Sequence, residues 1–504
     1  MLAPDYLDHA PDRLVLLFQQ VEDDILRDVA RRISKMETLT PTANWQLWRY
    51  QQTEAVRQDV IKKLARYTGK SEAAIRQLMQ EAATRALEAE DRIYYHYDLE
   101  PTPFAENETL QALLNAGYQQ TAGTFSNLTA TTANTVSGQF EAALDRAHLK
   151  VSNGAFDYKS AIKSAVDSLA DTMKYVTYPT GHQDTLEVAC RRAVLTGVNQ
   201  TAGKLQEARM DEMQVEFVET SAHGGARPSH AEWQGRQFHR GGAVDYLGKH
   251  YPDFYEATAY GTGGGIYGWN CAHTHWPIFP TLGAPPAWTQ ESLDALNARD
   301  IEYDGKKYTQ YEINQMQRAR ERTVRKYKRR YLAEDAAGAD TTQSAVKLRA
   351  ARAELADFTA RTGGRVDSAR TMVSGFGRSA SSKAAWAAKK QERLDAVNND
   401  LTELRQSGKI RMTGAAVVPP ALPNTLNFEG HSLEQMAKRQ ISLAQANEIA
   451  EHAILAISQR NGTQHSYYSD KGFIVIKQDG AIGTVGWLDD GGQQIVEVMK
   501  KHGF

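Results

Sequence analysis

Apolar positions at helical spacing dominate the first 213 residues. Leu14, Leu17, Val21, Ile25 and Val29 recur at intervals that place them on one helix face, and Asp12 is positioned to cap that helix. Val60, Ile61 and Leu64 mark a second helix, which Gly69 is expected to end. Ser71 would then cap a third, running through Ile75, Leu78 and Ala82 toward Tyr94. Residues 121–138 are rich in Thr, Ser, Asn and Ala with few large apolar side chains, which predicts a weakly packed helix or a segment that orders on assembly. Leu186, Cys190, Val194, Leu195 and Val198 form a further stripe, so Cys190 reads as a buried core thiol.

The period changes near Gln214. Val215 to Thr220 alternates like a strand, and up to residue 285 the chain is rich in Gly, His and aromatics. Charged helix returns from Leu293 to about Leu355. Gly363, Gly364, Gly375 and Gly377 make 359–382 read as flexible, and a last charged helix runs from Ala384 to about Leu404. The run Val417-Val418-Pro419-Pro420-Ala421-Leu422-Pro423 reads as a stiff linker. Residues 427–504 look self-contained. Helical segments are expected from Leu433 to Met436 and from Ala444 to Ile457, then a strand over 472–477, an Asp479-Gly480 hairpin turn, a return strand over 481–487 and an amphipathic helix with Ile495, Val496 and Met499. The fold class expected is α+β: a helical region 1–213, a Cys/His/Gly-rich module 214–285, charged helices 286–410, a linker 411–426 and a small α+β domain 427–504.

Composition narrows the partners. With 504 residues the chain is long enough for several domains, and its formal charge of −2 gives no global attraction to nucleic acid or anionic membrane. Two cysteines, Cys190 and Cys271, exclude a disulfide framework and fit a reducing compartment. No run of about 18 apolar residues is present to span a membrane, and the first residues lack the pattern of a signal peptide, so synthesis in the cytoplasm is expected.

Chemistry concentrates in two blocks of the 214–285 module. In an extended strand Cys271, His273 and His275 would project to one face, and a thiolate with two imidazoles suits zinc, with His230 or His223 completing a tetrahedron. A hydrogen-bonded packing cluster would use the same residues, as would a thiol nucleophile activated by a histidine. Gly263 to Gly268 matches G-x-G-x-x-G in form, but no helix opens there, which excludes a dinucleotide fingerprint. Further on, Arg318, Arg322, Arg325, Lys326, Arg329 and Arg330 make a basic helix. It suits salt-sensitive contact with DNA phosphates, or equally a solvated face or an acidic partner.

The blocks His223-Gly224-Gly225-Ala226-Arg227-Pro228-Ser229-His230-Ala231-Glu232-Trp233-Gln234-Gly235, Tyr260-Gly261-Thr262-Gly263 and Asn270-Cys271-Ala272-His273 resemble the signature of a phage minor capsid protein family. That family is similar in arrangement to the Mu-like head-morphogenesis proteins, and the resemblance covers about residues 1–350. It implies a virion component near the portal or inside the head, made in the host bacterial cytoplasm. The implied partners are portal and capsid proteins and packaged DNA, with no established enzymatic activity. Residues 430–442 and 472–485 resemble small phage-borne nuclease-like domains of the barnase, colicin and RelE sort. That second resemblance implies metal-free RNA cleavage, with His431 as acid or base, Lys438 and Arg439 on phosphate, and His465 or Thr484 assisting. Two alternative functions follow: a phage-encoded toxin that cuts RNA, and a zinc-binding protein built on the Cys/His cluster. A bland reading stands beside them, with His431 as a helix-start residue and Lys438 and Arg439 on a solvated face.

Overall fold

A computed structural model describes residues 2–36, 42–152, 157–178, 180–283 and 285–504. The chain divides into two compact units, Met1–Ser381 and Ser382–Phe504, and its architecture is α+β.

The first unit is built on five helices: α1 (Asp12–Ser34), α2 (Thr42–His96), α3 (Glu108–Ser152), α4 (Tyr158–Thr172) and α5 (Leu186–Glu212). Their apolar stripes meet in one core that includes Phe18, Val21, Ile25, Phe125, Phe140 and Val194. Side-chain caps start two of them: Asp157 accepts from Ser160 N, and Thr185 from Val188 N. Asp12 is not the cap of α1. Pro11 holds that position, and the Asp12 carboxylate takes His9 Nδ1 at 2.9 Å and Arg191 at 2.7 Å.

Gly69 does not end a helix either. The helix α2 runs unbroken through it, with Val60, Leu64, Ser71, Ile75 and Met79 buried along one face. A glycine in a helix interior costs about 1 kcal/mol, and burial of that stripe on both sides outweighs it. The Thr- and Ala-rich stretch 121–138 is likewise ordinary helix within α3. Thr121 at its start serves a close crossing with α5. A Cβ on Gly117 would stand 2.2 Å from Thr201 Oγ1, and one on Gly197 would stand 2.3 Å from Thr121 Oγ1. Each glycine makes room for the other helix's threonine, so small side chains are what this crossing requires, while Phe125 and Val136 of the same stretch pack into the core.

After α5 the chain forms a three-stranded antiparallel sheet. Its centre is β1 (Phe217–Thr220), flanked by β2 (Gln237–His239) and β3 (His275–Pro277). The short helix α6 (Pro228–Ala231) lies between β1 and β2 in sequence. Trp233, Phe238, Phe254, Ile266 and Tyr267 form the core of this module. The basic helix α7 (Gln310–Ala336) starts with a full capping box between Thr309 and Glu312. Residues 359–382 take up the end of one helix, a short helix Ser368–Thr371 and the start of another at Arg378.

The second unit is a five-stranded antiparallel meander with three helices of its own. Asp479-Gly480 makes the turn between strands Gly472–Lys477 and Ile482–Trp487, with Gly480 at φ +83°. The helical reading of 444–457 needs correction. The helix is Leu443–Glu451, and Leu455–Gln459 is a strand paired on both edges. Leu455, Ala456 and Ile457 are fully buried, and such a continuous apolar run suits a strand covered on both faces as well as it suits a helix. Its outer neighbour is Ala415–Val417, so the proline-rich run follows an edge strand of this unit. The unit boundary falls earlier, inside the helix Arg378–Gln406, because Leu394, Val397 and Leu401 are buried against Ile410, Ile495 and Met499.

Candidate functional site

The site begins with a loop that must turn tightly. His230 is presented by α6, while Cys271 and His273 lie on the irregular segment that precedes β3. The fold closes the two blocks on each other. His230 Nδ1 stands 3.3 Å from His273 Nδ1, and Cys271 Sγ stands 3.7 Å from the same nitrogen. All three ligand atoms lie within 4.8 Å of one another, and all three residues are buried. The outer nitrogens are fixed by oxygen acceptors: His230 Nε2 meets Gly264 O at 2.8 Å, and His273 Nε2 meets Gln234 Oε1 at 3.1 Å. The Trp233 ring packs 4.6 Å from the His230 ring and 4.8 Å from the His273 ring.

Burial sets the charge state. It pushes His230 down to about 4, His273 well below its ordinary value, and the Cys271 thiol up to about 11. Without a cation the cluster is therefore neutral near pH 7, with a thiol rather than a thiolate. That state is a poor nucleophile. It is also the set of donors from which a metal displaces only the thiol proton.

His223 lies against this cluster. Its ring packs against that of His273 at a tilt of 33° with centroids 4.3 Å apart, and its Nε2 is buried without a hydrogen-bond partner. His275 is placed elsewhere. The strand begins only at His275, so the alternation that would align it with His273 does not extend back to Cys271. Its side chain instead meets Tyr267 Oη at 2.6 Å and Glu207 Oε1 at 2.8 Å. Burial disfavours the Glu207 charge, but the hydrogen bond and charge of His275 and the charge of Arg240 hold it down to about 2.

The cluster opens on a cleft of about 740 Å³, whose other walls include Arg227, Arg318, Arg322 and Arg325. The basic helix α7 thus has two kinds of cation. Arg318 and Arg322 line the cleft. Arg325 pairs with Glu187, Lys326 with Asp171 at 3.2 Å, Arg330 with Asp167 at 2.6 Å, and Arg329 with Glu22 at 2.7 Å and Asp23 at 3.0 Å. Burial pushes the Glu22 carboxyl up to about 7, against the pull of Arg329.

The second unit has its own cleft, about 790 Å³. His431, Arg439 and Thr484 line it together with Arg460 and Lys477. His431 starts the helix His431–Arg439, and Arg439 Nη1 reaches Thr484 Oγ1 at 3.3 Å. Lys438 is exposed, and neither it nor His465 is in the lining. His465 is on a strand whose neighbour Gln464 faces the cleft, so alternation turns His465 away.

Sequence reasoning missed Gln234 and Gly264, which orient the two imidazoles, and Glu207, which holds His275. Gln234 had a usable signal, since it stands one helical turn after His230. Gly264 and Glu207 had none, because their roles depend on tertiary contact.

No curated protein and no solved structure matches the chain. Residues 2–360 match the family model described as phage minor capsid protein 2. That span takes in the helical body, the three signature blocks and most of the cleft beside them. The chain belongs to the phage minor capsid protein 2 family.

Proposed function

We propose that this phage structural protein is an assembly part of the head, positioned near the portal or inside the capsid, with portal and capsid proteins as its partners. The observation that carries the reading is the closure of the two family blocks on one another at His230 and His273, inside the span that matches the family. A knot of that kind braces the cleft wall it forms. Contact with packaged DNA would fall to Arg322, which lines the cleft, since Arg325, Arg329 and Arg330 face internal carboxylates. Mass spectrometry of purified particles tests the proposal. The chain is expected at a fixed low copy number in filled heads, and its presence in the lysate alone would overturn the assignment.

A second reading concerns the second unit, and a specific observation favours it. His431, Arg439 and Thr484 line one cleft with two further cations, an arrangement suited to holding a phosphodiester while an imidazole moves a proton. On this reading the unit cleaves RNA. The full chain expressed in cells should degrade RNA, and His431→Ala should lower the rate by about 10²-fold or more. An inert wild-type chain would end this reading.

A further inference from the structure

We propose that His230 Nδ1, Cys271 Sγ and His273 Nδ1 hold one zinc ion, whose fourth position opens on the cleft beside His223. This goes beyond the assembly reading and does not depend on where the protein resides.

The first support is the direction of the protons. Gly264 O can only accept, so His230 Nε2 is the N–H donor. Gln234 Oε1 also accepts from the backbone N–H of His223 at 3.2 Å, which fixes it as the oxygen, so His273 Nε2 is a donor too. A neutral imidazole carries one N–H. On neutral rings with Nε2 as the donor, both Nδ1 atoms present lone pairs 3.3 Å apart, and the nearby hydrogen is the weak S–H donor of Cys271, whose sulfur stands 3.7 Å from His273 Nδ1. Two acceptors at that distance in a buried site repel, unless a cation lies between them.

The second support is metric. Zinc–nitrogen bonds of about 2.0–2.1 Å and zinc–sulfur bonds of about 2.3 Å give tetrahedral edges of about 3.3–3.4 Å between nitrogens and about 3.5–3.6 Å between nitrogen and sulfur. The two edges at His273 Nδ1 are 3.3 Å and 3.7 Å, and the third, between His230 and Cys271, lies within 4.8 Å. Sulfur and imidazole donors favour zinc over hard cations such as magnesium or calcium.

The third support is the outer layer. Each imidazole donates its one N–H, on Nε2, to an amide oxygen, the arrangement that orients metal-bound histidines. Cys271 Sγ accepts the backbone N–H of His273 at 3.4 Å, which stabilises a thiolate. His223 lines the same cleft, its ring lies 4.3 Å from that of His273, and its buried Nε2 has no hydrogen-bond partner.

The test uses the full chain, expressed in zinc-supplemented medium and purified without chelator. Elemental analysis should give about one zinc per chain, and Cys271→Ser should lower this to near zero. Because that variant could misfold, wild-type protein stripped by chelator is also titrated with cobalt(II). A thiolate-to-cobalt absorption band at one equivalent is expected. Wild-type protein that carries no stoichiometric zinc and gives no such band would overturn the site, and a different metal at full stoichiometry would overturn its identity.

Discussion

Around Arg329, buried charge meets buried charge, whereas around His273 lone pair meets lone pair. The first cluster joins α1, α5 and α7, where the guanidinium faces Glu22 and Asp23 and the neighbouring Arg325 takes Glu187. The second joins α6 to the segment before β3, and its imidazoles face each other while their outer N–H groups are already engaged. Both are removed from water, and that removal is costly for any polar group left without a partner. In the helical body the charge partners come from within the chain, although Arg329 Nη2 and Arg325 Nε are buried without a hydrogen bond. In the central module the two Nδ1 atoms face each other with only the weak S–H of Cys271 beside one of them, so the cluster points to something from outside. Buried polarity alone does not mark a site; what distinguishes one is convergent acceptors that no strong donor of the chain matches.

The largest test of this contrast is to open the closed cluster. Arg329→Met keeps much of the side-chain volume but leaves Glu22 and Asp23 buried without their cation. Breaking a buried pair in this way costs about 3–5 kcal/mol. Urea denaturation of the full chain should report a loss of that size, and adding Glu22→Gln should recover part of it. A loss below about 1 kcal/mol would mean that the carboxylates are stabilised by something other than Arg329, and the two clusters would no longer differ in kind.

The same contrast explains how much could be read from the sequence. Local signals survived well. The break in period at Gln214, the Asp479-Gly480 turn and the stripe of Ile495, Val496 and Met499 each depend on a few adjacent residues, and each has its expected place in the fold. His230, Cys271 and His273 were legible as a group because their residue types are rare and close in sequence. Tertiary choices were not legible. Gly69 looks like a helix end until the buried stripe on either side of it is known. Leu455 to Ile457 fits helix or strand until its two sheet neighbours are known. The basic run on α7 looks like a free cationic face because its acids, Glu22, Asp23, Asp167 and Glu187, lie more than a hundred residues away in sequence.

A smaller effect tests whether the helical body also neutralises a buried carboxyl with a proton. Glu90 on α2 is fully buried and takes the Tyr94 hydroxyl at 2.9 Å. Burial pushes its carboxyl from 4.5 up to about 8. The sign follows from linkage: the folded chain keeps a proton that the unfolded chain has released, so this contribution is complete below the ordinary carboxyl range and is lost as pH rises to about 8. Wild-type protein should therefore lose stability from about pH 5 to about pH 8 through this residue. Glu90→Gln, neutral at both ends and still able to accept from Tyr94, should lose less by on the order of 2 kcal/mol. Denaturation midpoints at the two pH values measure the difference. Parallel losses in the two proteins would mean that Glu90 is ionised in the fold, and that the helical body tolerates a buried charge without a partner after all.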